Sequence, residues 1–282
     1  MASFLEALHH YEFLRSALLA GLLASVACGV IGSYVVTRRI SYIAGGIAHC
    51  VLGGIGAARY LAVVHGWSWL TPLHGAVVAA LAAAAVIGIV SLRAKQREDT
   101  VIGAMWAIGM AAGVLFISQT PGYGEDLMSY LFGNILMVSR GDLWLIAGLD
   151  LLVVAVGLAF YHQLVAVCFD EEFARIRGLR ADLYYLVLLG LTALTVVLLS
   201  MVVGIVMVIA LLTLPAAVAG QFARTLWQMM VVSALLSAAF TVAGQALAYG
   251  PNLPPGATII LLAGATYLLV TLLSRLLRFR KG

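Results

Sequence analysis

Apolar runs, each about 20 residues long, follow one another from near the first residue to near the last. A helix rises 1.5 Å per residue, so each run can cross a hydrocarbon layer of about 30 Å. With no water inside a bilayer to satisfy the backbone amides, a spanning segment must be a helix or a strand of a closed barrel. These runs are continuously apolar and do not alternate, which excludes the barrel. The composition agrees: 63% of the 282 residues are hydrophobic and 10% charged, against about 25% charged in a water-soluble domain. The expectation is an all-α integral membrane protein, with residues 1–282 forming a single polytopic transmembrane domain.

The apolar runs place nine spans, at 13–37, 41–65, 69–92, 100–119, 143–163, 183–203, 205–221, 227–249 and 256–277. Only Gly204 separates the sixth from the seventh. Basic residues collect in cytoplasmic loops. With the N-terminus outside, the inner segments hold Arg38, Arg39, Arg93, Lys95, Arg97, Arg175, Arg177, Arg180, Arg224, Arg275, Arg278, Arg280 and Lys281. That is thirteen of the 16 lysines and arginines, leaving Arg15, Arg59 and Arg140 toward the outside. An odd number of crossings then puts the C-terminus in the cytoplasm. The N-terminal segment lacks a basic region, a short apolar core and a cleavage site in succession, so the first span is expected to be retained.

The net charge of +4 does not point to nucleic acid, because the basic residues are dispersed between apolar runs without a patch of interleaved aromatics. Cys28, Cys50 and Cys168 are odd in number and give no disulfide framework. The chain has no Walker A loop: Lys95 and Lys281 lack the glycine-rich approach it requires. It also has no HExxH or GxSxG motif, so an intramembrane hydrolase has no catalytic platform here.

Polar groups at mid-membrane are expensive, about 2.5–3.5 kcal/mol for Asp on insertion scales, and mark pathways or interior contacts. His49 lies about 14 Å into the second span and Asp150 at a similar depth in the fifth. A neutral imidazole at that depth either ligates a borderline metal such as zinc or manganese or bonds to a neighbouring helix. Gly45, Gly46, Gly53, Gly54 and Gly56 surround it in sequence and allow close backbone approach or leave a groove. Cys50 points about 100° away on the helix. Asp150 is either a hydrogen-bonded interior carboxylate or part of a cation path. Gln245, Asn134 and Asn252 fall nearer the outer side, where His9, His10, His65 and His74 could capture metal. Residues 120–142 combine turn formers with an amphipathic middle and suggest a short interfacial helix outside. Residues 168–182, CFDEEFARIRGLRAD, form a charged segment inside, where a short helix is expected with Asp170 as N-cap and Gly178 as its stop.

Six stretches carry a resemblance. They are TRRISYIAGGIAHCVLGGIG (37–56), EDTVIGAMWAIGMAAGVLFIS (98–118), LMSYLFGNIL (127–136), FDEEFARIRGL (169–179), VVGIVMVIALLTLPAAVA (202–219) and PPGATIILLAG (254–264). In this order they resemble the membrane-spanning permease subunits of bacterial zinc, manganese and iron ABC importers. The resemblance implies a fold related to the vitamin B12 importer permease and a homodimer with the metal passing between its subunits. It also implies two cytoplasmic ATPase subunits that consume ATP, a periplasmic or lipid-anchored metal-binding protein, and the bacterial inner membrane as location. The permease itself would be non-catalytic and hold no permanent cofactor. His49 would line the metal path, with Asp150 or the other protomer as a second donor. The 169–179 stretch would be a coupling helix engaging the ATPase through Phe173 and its rim of Asp170, Glu171, Glu172 and Arg175, closed by Gly178. Family members often carry Asp four residues before the histidine and VLPG after it; this chain has Gly45 and Gly53. A permease for iron chelates or a vitamin, and an ion-coupled secondary transporter, are the alternatives. The latter would show inverted repeats and several intramembrane carboxylates.

Overall fold

A computed structural model describes residues 4–93, 98–121, 140–251 and 253–279. Asn134, Asn252, Lys95, Arg97, Arg280, Lys281, the LMSYLFGNIL stretch and most of the expected interfacial helix lie outside the described residues, as do the side chains of Arg140, Arg275 and Arg278.

The described residues form twelve helices and no strand. They are α1 (Phe4–His10), α2 (Glu12–Arg38), α3 (Ser41–Val64), α4 (Pro72–Arg93), α5 (Glu98–Ser118), α6 (Arg140–Ala159), α7 (Tyr161–Phe169), α8 (Glu171–Ile176), α9 (Ala181–Val203), α10 (Ile205–Ala219), α11 (Leu226–Tyr249) and α12 (Pro255–Phe279). Every expected span corresponds to helix, but not every one is by itself a straight helix long enough to cross a membrane. Among the described residues seven helices are long and apolar enough to cross a membrane, or up to eight if the bent pair α6 and α7 is one span.

Two elements account for the difference. The fifth expected span, 143–163, is bent by 71° between α6 and α7. A continuous helix would offer the Gly157 carbonyl to the amide of residue 161; here the Tyr34 hydroxyl donates to that carbonyl at 2.9 Å, so this acceptor is satisfied at the break. The seventh expected span is α10, with 15 residues and a length of about 22 Å, short of the hydrocarbon thickness. It starts after Gly204, whose φ of 85° is a conformation that glycine adopts without strain. Ten of its residues, from Ile205 to Ala219, are buried. A helix apolar all round and enclosed by neighbours is a core element, and α10 packs against α2, α9, α11 and α12.

Helix α2 is the other axis of the core. A Cβ on Gly29 would lie 2.6 Å from the Ala234 amide nitrogen of α11, closer than a side chain tolerates. Small residues at such crossings let helix backbones touch, which is how membrane helices gain packing energy without a hydrophobic driving force.

The segments expected on the inner side meet at one end of the bundle. Arg38 pairs with Glu171 and its guanidinium lies over the Tyr185 ring, 5.5 Å from the centroid. Ser91 approaches the Tyr185 hydroxyl at 3.3 Å, and Gln221 bonds Thr271 at 3.0 Å and Ser274 at 2.7 Å. A cleft of about 540 Å³ at this end is lined by Thr37, Phe169, Gln221, Arg224, Tyr267 and Thr271 among others.

Candidate functional site

The setting of His49 follows from glycine. Helix α3 packs between α4 and α5. On the α5 side a Cβ on Gly53 would fall 2.8 Å from the Gly109 carbonyl oxygen, and one on Gly56 2.9 Å from that of Gly113. Any larger residue would push the helices apart, so of the two readings of the glycine-rich span, close approach is the one realised. At this separation the indole of Trp106, on α5, lies across α3. It stacks on the His49 imidazole with ring centroids 4.3 Å apart and planes at 17°, and its other neighbour is the Tyr42 ring at 5.9 Å. The indole also fills the space beside Gly45, where a Cβ would sit 3.4 Å from Cζ3 of Trp106.

His49 is 7% exposed, and its Nδ1 has no hydrogen-bond partner among the described residues. A buried ring nitrogen without a partner is costly unless something else comes to it. In a neutral imidazole that nitrogen can be the acceptor, which is also the donor atom toward a metal cation. Next to it, the Cys50 thiol donates to the Met105 carbonyl at 3.3 Å.

Asp150, equally buried, belongs to another helix pair. Its Oδ1 accepts the main-chain N–H of Ala27 on α2 at 3.0 Å. The two mid-span groups are thus held by different partners, His49 by α5 and Asp150 by α2. No cluster of three or more His, Cys, Asp or Glu side chains suited to a metal occurs among the described residues. Two of the histidines considered for capture have local partners: Nδ1 of His74 accepts from Thr71, and His65 lies against the Tyr60 ring. Gln245 is buried and its Nε2 donates to the Ala17 carbonyl at 3.3 Å.

The charged segment forms the expected short helix. The Asp170 side chain accepts the Phe173 N–H at 2.9 Å and caps α8. Gly178, with φ 80°, closes it: the Gly178 N–H bonds the Arg175 carbonyl and the Leu179 N–H that of Ala174, a Schellman arrangement. Ala174 is buried against the body, whereas Phe173 (52% exposed), Ile176 (84%) and Phe169 (68%) stand outward. Glu171 joins this turn to the bundle. It pairs with Arg38 of α2 and with Arg175 at 2.6 Å, and Arg175 also reaches Asp182 at 2.6 Å. Partial burial works to raise the Glu171 pKa, but the hydrogen bonds from Arg175 and Arg38 outweigh it and hold the carboxyl below its ordinary 4.5.

Trp106 and the Arg38–Tyr185 contact were not identifiable as site residues from sequence. For Trp106 the available signal was the pair of glycine series, 46, 53 and 56 on α3 with 109 and 113 on α5, which marks helices able to approach closely but does not say that they are partners.

An all-helical polytopic bundle, with a polar group buried inside two of its spans and a capped, charged turn presented at one end, has the architecture of a membrane permease. The family model described as the ABC 3 transport family matches residues 10–274, and the chain belongs to that family. It is 48% identical over 259 residues to an uncharacterized membrane protein of Synechocystis sp., covering 92% of this chain and 90% of the other. It is 40% identical to a probable metal transport system membrane protein of Chlamydia trachomatis (92% and 88% covered). Identity is 33% to a manganese transport system membrane protein of Halalkalibacterium halodurans (94% and 89%). Among solved structures, a chain of PsaBC from Streptococcus pneumoniae in complex with a Fab superposes with a TM-score of 0.83 at 29% identity, covering 95% of this chain and 94% of that one.

Proposed function

We propose that this chain is the permease subunit of an ATP-driven importer of a divalent transition metal ion, drawn from zinc, manganese and iron, in the bacterial inner membrane. The metal is cargo, and ATP hydrolysis belongs to separate ATPase subunits. The observation that carries the reading is His49: an imidazole buried at mid-span in a member of a transport family, with a ring nitrogen left without a partner. A divalent ion stripped of water in a low-dielectric passage needs such a donor, and a site with few donors can also release its ion, as conduction requires. Manganese is the first metal to test, because it is in the name of a relative at 33% identity.

Membership of the family supports the remaining parts of the proposed assembly. Two copies of the permease enclose the path, a periplasmic or lipid-anchored protein delivers metal, and α8 engages the ATPase through Phe173, rimmed by Asp170, Glu171, Glu172 and Arg175. In this reading the bundle crosses the membrane nine times, with α10 as a short crossing shielded by its neighbours and the fold related to the vitamin B12 importer permease. Asp150 is the weaker candidate for the path, since its carboxylate already serves Ala27. His49→Ala, with assembly verified by copurification of the ATPase, is expected to lower manganese uptake at least about tenfold, the loss of roughly one good ligand interaction. Uptake at the parental rate by a fully assembled variant would make His49 a packing residue and sink the site.

A further inference from the structure

We propose that Trp106 is a positioning and selectivity residue for the cation step at His49, an inference that rests on the metal-path reading of that histidine. Three observations converge on the indole. It lies nearly parallel to the imidazole with centroids 4.3 Å apart, which is stacking contact and not incidental proximity. It also lies 5.9 Å from the ring of Tyr42, one of the residues that share the α3 face with His49, two turns apart. It also occupies the volume beside Gly45, where a longer side chain would meet it first.

Stacking restricts the imidazole to one plane, so its nitrogens are presented along a fixed line in that plane. Nδ1 is the atom left without a partner, and the indole covers a ring face without offering that nitrogen a hydrogen bond. The indole N–H is a donor and has no lone pair for a metal; its face contributes only the weak attraction of a π cloud for a cation. At this level of the path Trp106 therefore removes competing donors, sets the direction of one imidazole and leaves little room for a hydrated ion. A single softer nitrogen donor beside an aromatic wall favours metals that accept imidazole, and it disfavours magnesium and calcium, which demand several oxygens.

The test uses the whole transporter, permease with its ATPase, in liposomes, with manganese ions as the probe and magnesium and calcium as competitors. Trp106→Phe, which keeps a ring to stack, is expected to leave the apparent KM for manganese within about threefold of the parent. Trp106→Leu is expected to raise it at least about tenfold with the maximal rate little changed, and to make uptake more sensitive to magnesium or calcium. A lowered maximal rate at unchanged KM and unchanged competition would mean that Trp106 only supports folding, and would overturn the proposal. The emission component lost in Trp106→Phe provides a measurement that needs no Leu variant. Manganese should quench it saturably in the parent and not in His49→Ala; absence of a saturable effect in the parent also overturns the proposal. Parental uptake in His49→Ala would instead refute the metal-path reading itself, so the two failures are separable.

Discussion

A carboxylate pressed against a neighbouring helix has to be explained by what it touches, and Asp150 touches the Ala27 amide of α2 at 3.0 Å. Asp150 is buried, as is Cys28 next to Ala27, and the bond to α2 helps to offset the desolvation of the carboxylate. Asn at this position keeps an acceptor of the same shape, whereas Ala removes it and leaves a void. Asp150→Asn should therefore melt close to the parent in detergent, and Asp150→Ala should lose about 1–3 kcal/mol of stability. Equal melting of Ala variant and parent would show that the contact contributes nothing to packing. Loss of manganese uptake in a normally melting Asn variant would move Asp150 into the ion path. His49 differs in kind, since its ring is held by stacking and its Nδ1 is left open.

Among the elements, α8 is the one that the proposed function assigns to contact with the ATPase. Six residues are too few to be a stable helix alone; the Asp170 cap, the Gly178 stop and buried Ala174 hold it. Its pairing with α2 depends on the charge of Glu171. The folded pKa of that carboxyl is depressed below 4.5, so its contribution to stability is fully present above that pH and is lost as pH falls through the lower folded value. At neutral pH the Arg38–Glu171–Arg175 connection is therefore intact, and force on α8 can reach α2. Phe173, half exposed within a charged rim, has the form of an interface anchor. Phe173→Ala should weaken copurification of the ATPase by about 2 kcal/mol while leaving membrane insertion unchanged. Unaltered assembly together with unaltered transport-coupled ATP turnover would rule out α8 as the coupling element.

For the molecule as a whole, the cleft and the Arg38, Glu171 and Arg224 side chains lie at the same end of the bundle, the end that the charge bias predicts to be cytoplasmic. A single cysteine introduced at position 2, in a variant lacking the native cysteines, should react with an impermeant maleimide in intact cells, and one at position 282 should not. The reverse pattern would invert the orientation and detach α8 from any cytoplasmic ATPase. Exposed leucines along α12, Leu261, Leu268, Leu272 and Leu276, are ordinary for a surface that faces lipid or a second copy.

What the sequence determined by itself is everything that depends on neighbours along the chain. Apolar run length marks the helices, and the position of Asp170 and Gly178 sets the ends of the charged turn. The same locality explains the omissions. At the bend after Ala159 the Gly157 carbonyl is taken by Tyr34, more than a hundred residues earlier, and no proline announces it. Helix α10 reads as a full-length span by hydropathy, yet it has 15 residues and spends its apolar surface on α2, α9, α11 and α12. His49 was visible as a polar residue at mid-depth, but whether the glycines beside it opened a groove or drew in a neighbour was decided only when α5 packed against α3 and laid Trp106 on the imidazole. Periodicity reports how a helix is oriented toward some neighbour; only the folded bundle determines which helix that neighbour is.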